Sequence, residues 1–135
     1  MRSVANLRAM REICGITQQQ MADALGVRAL AVKRWESGER EAPQDALDWL
    51  SEALREHDAA VSELVGGVVA QVPSGSECVL DYYRTQEQAQ AVANGGECAP
   101  HQFLDAVARS AAERLTFLGY RVSFAYPDEE RRYHY

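Results

Sequence analysis

The signatures of catalysis are the first thing this sequence lacks. It holds no glycine-rich phosphate loop, no nucleophile-elbow pentapeptide and no pair of histidines at metal-binding spacing. His57, His101 and His134 are scattered, and each is expected at the surface or in packing. No nucleophile can be matched with a base, so an enzyme is not expected. Cysteine is scarce too. Cys14, Cys78 and Cys98 are far apart and form no C-x-x-C pair, so neither a zinc site nor any other cofactor is expected. Unpaired thiols without a signal-peptide pattern fit a reducing cytoplasm. No apolar run approaches the ~20 residues needed to cross a bilayer, which argues against a membrane role. Net positive charge is missing as well: the formal charge is −6, which excludes indiscriminate coating of nucleic acid.

The charge that is present is unevenly spread. Residues 1–42 hold seven Arg and Lys against five Asp and Glu, and the remainder holds seven against fifteen. The chain has 135 residues, enough for one medium domain or two small ones. Within the basic part, Thr17 to Glu39 (TQQQMADALGVRALAVKRWESGE) reads as two short amphipathic helices. Met21 and Leu25 fall on one face at i, i+4 spacing, with Ala22 beside them. Thr17 is placed to cap this helix, and Gly26 suits the left-handed conformation that ends one. A second run is expected to bury Val27, Ala31, Val32 and Trp35, and Ser37-Gly38 closes it. Two helices crossing steeply need a small residue such as Ala22 at closest approach.

This segment resembles the helix-turn-helix of the Cro and phage-repressor type, the XRE family. The family's apolar positions coincide with Met21, Leu25, Val27, Val32 and Trp35, its alanine with Ala22 and its glycine with Gly26. Trp35-Glu36-Ser37-Gly38 is similar to the family's W-E-S/N-G ending, and Leu7 to Glu12 resembles its first helix, followed by Gly15-Ile16-Thr17-Gln18. The resemblance covers the first third to half of the chain. It implies that the second helix of the pair enters the major groove of double-stranded DNA.

By the same resemblance, Gln18 sits at a helix start and clamps a phosphate or an outer base. Arg28, Ala29, Leu30, Lys33 and Arg34 would line the groove-facing side, and Arg40 would reach the backbone. Arg34 is the candidate base reader, because its fork can bond both guanine acceptors. Lys33 and Arg28 are equally suited to anchoring phosphates. Ala29 and Leu30 can at most touch a thymine methyl. Arg11 and Glu36 match a pair that forms a structural ion pair in this family. One position departs: residue 28, often a capping Ser or Thr, is Arg here, which weakens the cap by ~1 kcal/mol and adds positive charge.

Beyond Pro43 the reading rests on periodicity. From Gln44 a long helix is expected, with Leu47, Leu50, Leu54, His57, Val61, Leu64 and Val68 forming a stripe. Leu47 and Leu50 should face the first domain, and the later residues a partner or the C-terminal unit. Gly66-Gly67 weakens the helix and Pro73-Ser74-Gly75 ends it. Glu77 to Arg84 is rich in strand formers. Thr85 caps a helix stopped by Asn94-Gly95-Gly96, and Pro100 opens a longer one with Phe103, Leu104, Val107, Ala108, Ala111, Leu115 and Leu118 at helical spacing. Tyr120 to Tyr126 reads as a second strand.

The expected fold is mainly α with a small β component: a helix-turn-helix bundle with its long connecting helix (1–72), a β-α-α-β dimerisation unit (76–127) and a flexible tail (128–135). Two strands make too small a sheet to stand alone, so a second copy is expected to complete it. The layout also resembles, in architecture, autoregulators of anti-CRISPR operons and antitoxin-like regulators, which implies a phage or mobile-element setting. The expected function is a homodimeric repressor on a palindromic operator. The alternatives are an antitoxin that also holds a toxin or other operon protein, and a regulator responding to a ligand or to oxidation.

Overall fold

The computed structural model describes residues 4–129. Three short helices come first: α1 (Ala5–Ile13), α2 (Gln18–Leu25) and α3 (Ala29–Ser37). The long helix α4 (Gln44–Gln71) follows, then β1 (Glu77–Asp81), α5 (Gln86–Ala93), α6 (His101–Phe117) and β2 (Arg121–Ala125). The chain divides into two compact units, Met1–His57 and Asp58–Tyr135.

The first unit closes around Leu7 of α1, Met21 and Ala22 of α2, Val32 and Trp35 of α3, and Ala46 and Leu50 of α4. α3 and α4 thus contribute residues three and four apart, as amphipathic packing requires, while α2 gives the adjacent pair Met21 and Ala22 and α1 gives Leu7. Cys14, directly after α1, is fully buried. The expected boundary after residue 72 is corrected: the division falls inside α4. The cause is that the second half of α4 belongs to another core. Val61, Val68 and Val72 pack with Cys78 and Leu80 of β1, with Val107, Ala111 and Leu115 of α6, and with Tyr120. The Tyr120 hydroxyl donates to the Val72 carbonyl at 2.5 Å, so the polar end of this buried ring is satisfied.

The α4 stripe also shifts from its expected course. Leu50, His57, Val61 and Val68 are buried, but Ala46 and Ala53 replace Leu47 and Leu54, which are half-buried. An α-helix repeats every 3.6 residues, so a strict alternation of three and four misplaces single positions by one residue. Gly66 and Gly67 do not interrupt the helix. In the second unit, β1 and β2 pair in parallel, Glu77 against Arg121 through Asp81 against Ala125, and α5 and α6 provide the crossover that parallel strands need. Thr85 accepts from the Gln88 amide and caps α5, and Asn94 ends it at φ 53°.

Three expectations need correction. Val27 is 37 % exposed, because its residue belongs to the turn: its N–H donates back to the Ala22 carbonyl at 3.0 Å, and its side chain lies off the core. Leu118 is 50 % exposed, since it is the C-cap of α6 and the chain already turns away there towards Gly119. Asp128, placed in the flexible tail, is held by Arg84 at 2.8 Å through both carboxylate oxygens. Residues 130–135, including His134, lie outside the described residues.

Candidate nucleic-acid interface

The geometry of the α2–α3 pair is fixed by its ends. Thr17 Oγ1 accepts from the Gln20 N–H at 3.0 Å, and the Gln20 side-chain oxygen accepts from the Thr17 N–H at 3.0 Å. This reciprocal capping box satisfies two otherwise unpaired donors and sets where α2 begins. Gly26 ends α2 at φ 68°, a left-handed conformation that a side chain would strain. Arg28 then stands as the N-cap of α3 with no side-chain capping bond, as its departure from Ser or Thr implies. Gly38 closes α3 at φ 83°.

Val32 and Trp35 turn one side of α3 into the core. The opposite side carries the predicted interface. Arg28 and Lys33 are exposed, Leu30 is 52 % exposed, and Ala29 is half-buried against the first core. Arg34 lies at the border of the face and its Nε sits 3.0 Å from a Glu39 carboxylate oxygen. Arg40 is exposed just beyond the helix, and its N–H donates to the Arg34 carbonyl at 3.1 Å. A shallow groove where the start of α2 meets α3 is lined by Arg8, Thr17, Gln18 and Lys33 among others. Predicted residues from both helices therefore meet on one surface.

Behind that surface lies an ion pair. Arg11 donates to Glu36 from Nε at 2.6 Å and from Nη2 at 2.9 Å, and from Nη1 to the Ile16 carbonyl at 2.8 Å. The Gln18 amide adds a further bond to Glu36 at 3.0 Å. Both charged side chains are nearly buried, at 11 % and 5 % exposure. Burial alone would raise the Glu36 pKa, but the hydrogen bonds from Arg11 and Gln18 outweigh it and hold the carboxyl below the ordinary glutamate value. α1, α2 and α3 are thereby tied together at the base of the groove. The Gln18 amide nitrogen is engaged in this network, and so is placed by Glu36 as well as by its helix.

Two residues of the site escaped the sequence reading. Glu39 pairs with Arg34 across the loop after α3, a contact that helical spacing does not announce. Gln20 completes the capping box, and the T-x-x-Q pattern at Thr17 carries that signal. The cysteines take no part. Cys14 and Cys78 are fully buried, and the Cys14 thiol is pushed up to about 11 by burial and then by the charge of Glu56. Among the described residues no cluster of His, Cys, Asp or Glu could hold a metal ion, and no helix is long and apolar enough to cross a membrane.

No curated protein matches the chain. A family model described as helix-turn-helix matches residues 7–58, which takes in most of α1, all of α2 and α3 and the first half of α4. The match ends one residue past the point where the first compact unit closes. Capped helix ends, a left-handed glycine turn and a cationic outer face thus coincide with an independent sequence signature: residues 7–58 form a helix-turn-helix domain of the XRE type, and the chain that carries it is a DNA-binding transcriptional regulator.

Proposed function

We propose that the protein is a homodimeric, sequence-specific repressor that binds a palindromic operator and controls its own promoter in the cytoplasm. One observation carries the reading: α3 buries Val32 and Trp35 while Arg28, Leu30 and Lys33 stand on its exposed side. A helix supported from behind and cationic in front is suited to lie along base-pair edges. Arg34 is the base reader, its guanidinium fork matching the two acceptors of guanine. Lys33, Arg28 and Arg40 hold phosphates, and Gln18 approaches the backbone from the start of α2. Ala29 and Leu30 supply the apolar surface that meets a thymine methyl. Two such helices on a two-fold axis would read half-sites about one helical turn apart, and occupancy would exclude polymerase.

Selection of sites from a random DNA pool tests the reading and should return an inverted repeat. On that site Arg34→Ala should cost about 1–3 kcal/mol and relax preference at one position of each half-site. Lys33→Ala should weaken all sequences alike and flatten the salt dependence. Uniform losses from both variants would mean that Arg34 does not read bases.

A further inference from the structure

The C-terminal unit leaves one edge of its sheet open. Among the described residues the sheet has two strands, so β2 is an edge strand. The Arg121 N–H donates to the Ser76 carbonyl and the Ala125 carbonyl accepts from Tyr82, both at 3.0 Å. Alternate residues of a parallel strand face the partner. Arg121, Ser123 and Ala125 therefore point their backbone groups at β1, and Val122 and Phe124 point theirs outwards. The side chains of Val122 and Phe124 share the sheet face of Cys78 and Leu80, their register partners. Cys78 and Leu80 are buried, whereas Phe124 is 44 % exposed. The apolar face of the sheet thus runs out to an uncovered strand.

We propose that a second copy of this chain docks on that edge, β2 lying antiparallel on β2 about a two-fold axis at Ser123, to give a four-stranded sheet. This rests on the homodimer reading above and adds the surface. Two identical edges related by a two-fold axis can meet only antiparallel. With the axis at Ser123, Val122 falls opposite Phe124 of the second copy. Both have outward backbone groups, so each pair exchanges both hydrogen bonds. Their side chains then extend the buried face across the axis. Charge selects β2 over β1. Arg121 meets Ala125 of the second copy, and no like charges are opposed. The equivalent pairing of β1 about Val79 would set Glu77 against Asp81 of the second copy, acid on acid, which destabilises a sheet. A two-stranded sheet is marginal, and four strands with one covered face are not.

The Ser123 pair on the axis is a non-hydrogen-bonded one, with Cα atoms about 4.5 Å apart, within the span of a disulfide. In the full chain, Ser123→Cys should yield a reductant-sensitive covalent dimer under mild oxidation, whereas Val79→Cys and the unaltered chain should not. Phe124→Lys, assayed by sedimentation with its helicity checked by circular dichroism, should raise the dimer dissociation constant roughly tenfold or more, because inward-pointing charge blocks edge pairing. A stable dimer that fails to cross-link at position 123, or cross-links equally at 79, overturns the β2 surface and leaves the homodimer standing. A chain monomeric at micromolar concentration overturns both.

Discussion

At the scale of single residues, the groove face is governed by two glutamates with opposite consequences. Glu39 holds Arg34 at 3.0 Å; the Glu39 side chain is well exposed and that of Arg34 partly so. An exposed ion pair of this kind is worth ~0–1 kcal/mol, so DNA can displace it, but the carboxylate remains beside the phosphates. Glu39→Gln should therefore tighten binding to any DNA, by about twofold to fivefold at low salt, an effect that fades as salt rises. Unchanged affinity in a fluorescence titration at low salt would show that Arg34 is not held back by its neighbour. Glu36 acts on folding instead. Its folded-state pKa lies below the unfolded value of about 4.3, so its contribution is complete above that value and is lost as pH falls through the folded one. Thermal unfolding followed from pH 6 downwards should show the unaltered chain losing stability faster than Glu36→Gln. Equal slopes would mean that the buried pair contributes nothing that depends on ionisation. The Arg11–Glu36 pairing was legible in the sequence only through the family resemblance. Glu39 was not legible, because its contact depends on how the chain leaves α3 at Gly38.

At the scale of elements, ends proved easier to read than faces. Thr17, Gly26, Thr85 and Asn94 act where local chemistry places them, since a cap needs only its own few backbone neighbours. Val27 and Leu118 misled for the complementary reason: each extends an apolar period beyond the helix that owns it, Val27 two residues ahead of α3 and Leu118 one residue after α6, and exposure there depends on the path of the turn. The parallel pairing of β1 and β2 is a long-range property set by the α5–α6 crossover, and no local pattern specifies it. In α4 the sequence rightly marks a weak point that the fold overrides. Gly66 and Gly67 are helical and exposed, and an added Cβ at either would meet nothing within 4 Å. Helical glycine costs about 0.5–1 kcal/mol relative to alanine. Gly66→Ala and Gly67→Ala should each raise stability by about that amount in chemical denaturation, with the midpoint shifted and the slope unchanged. A loss of stability would show that the native backbone departs from a regular helix at these residues.

At the scale of the whole chain, one unit meets DNA and the other supplies acidity. Residues 58–135 contain eleven Asp and Glu against six Arg. Such charge opposes any polyanion at long range, yet in the proposed dimer the same residues supply the interface that doubles the reader. These two effects separate on truncation. The fragment 1–57 retains the core of Leu7, Met21, Val32, Trp35 and Leu50, and should fold cooperatively by circular dichroism. It loses β2, and with it the second reader by which the proposed dimer would bind an operator bivalently. Its affinity for the full operator should fall by roughly 100-fold or more, the scale of a lost linked site. Its affinity for random DNA should hold or rise, because counterion release by Lys33 and the arginines persists while the acidic residues are gone. A merely damaged fold would lower both affinities together. A fragment that binds the operator as tightly as the full chain would show that a single α3 suffices, and the need for a doubled reader would disappear with it.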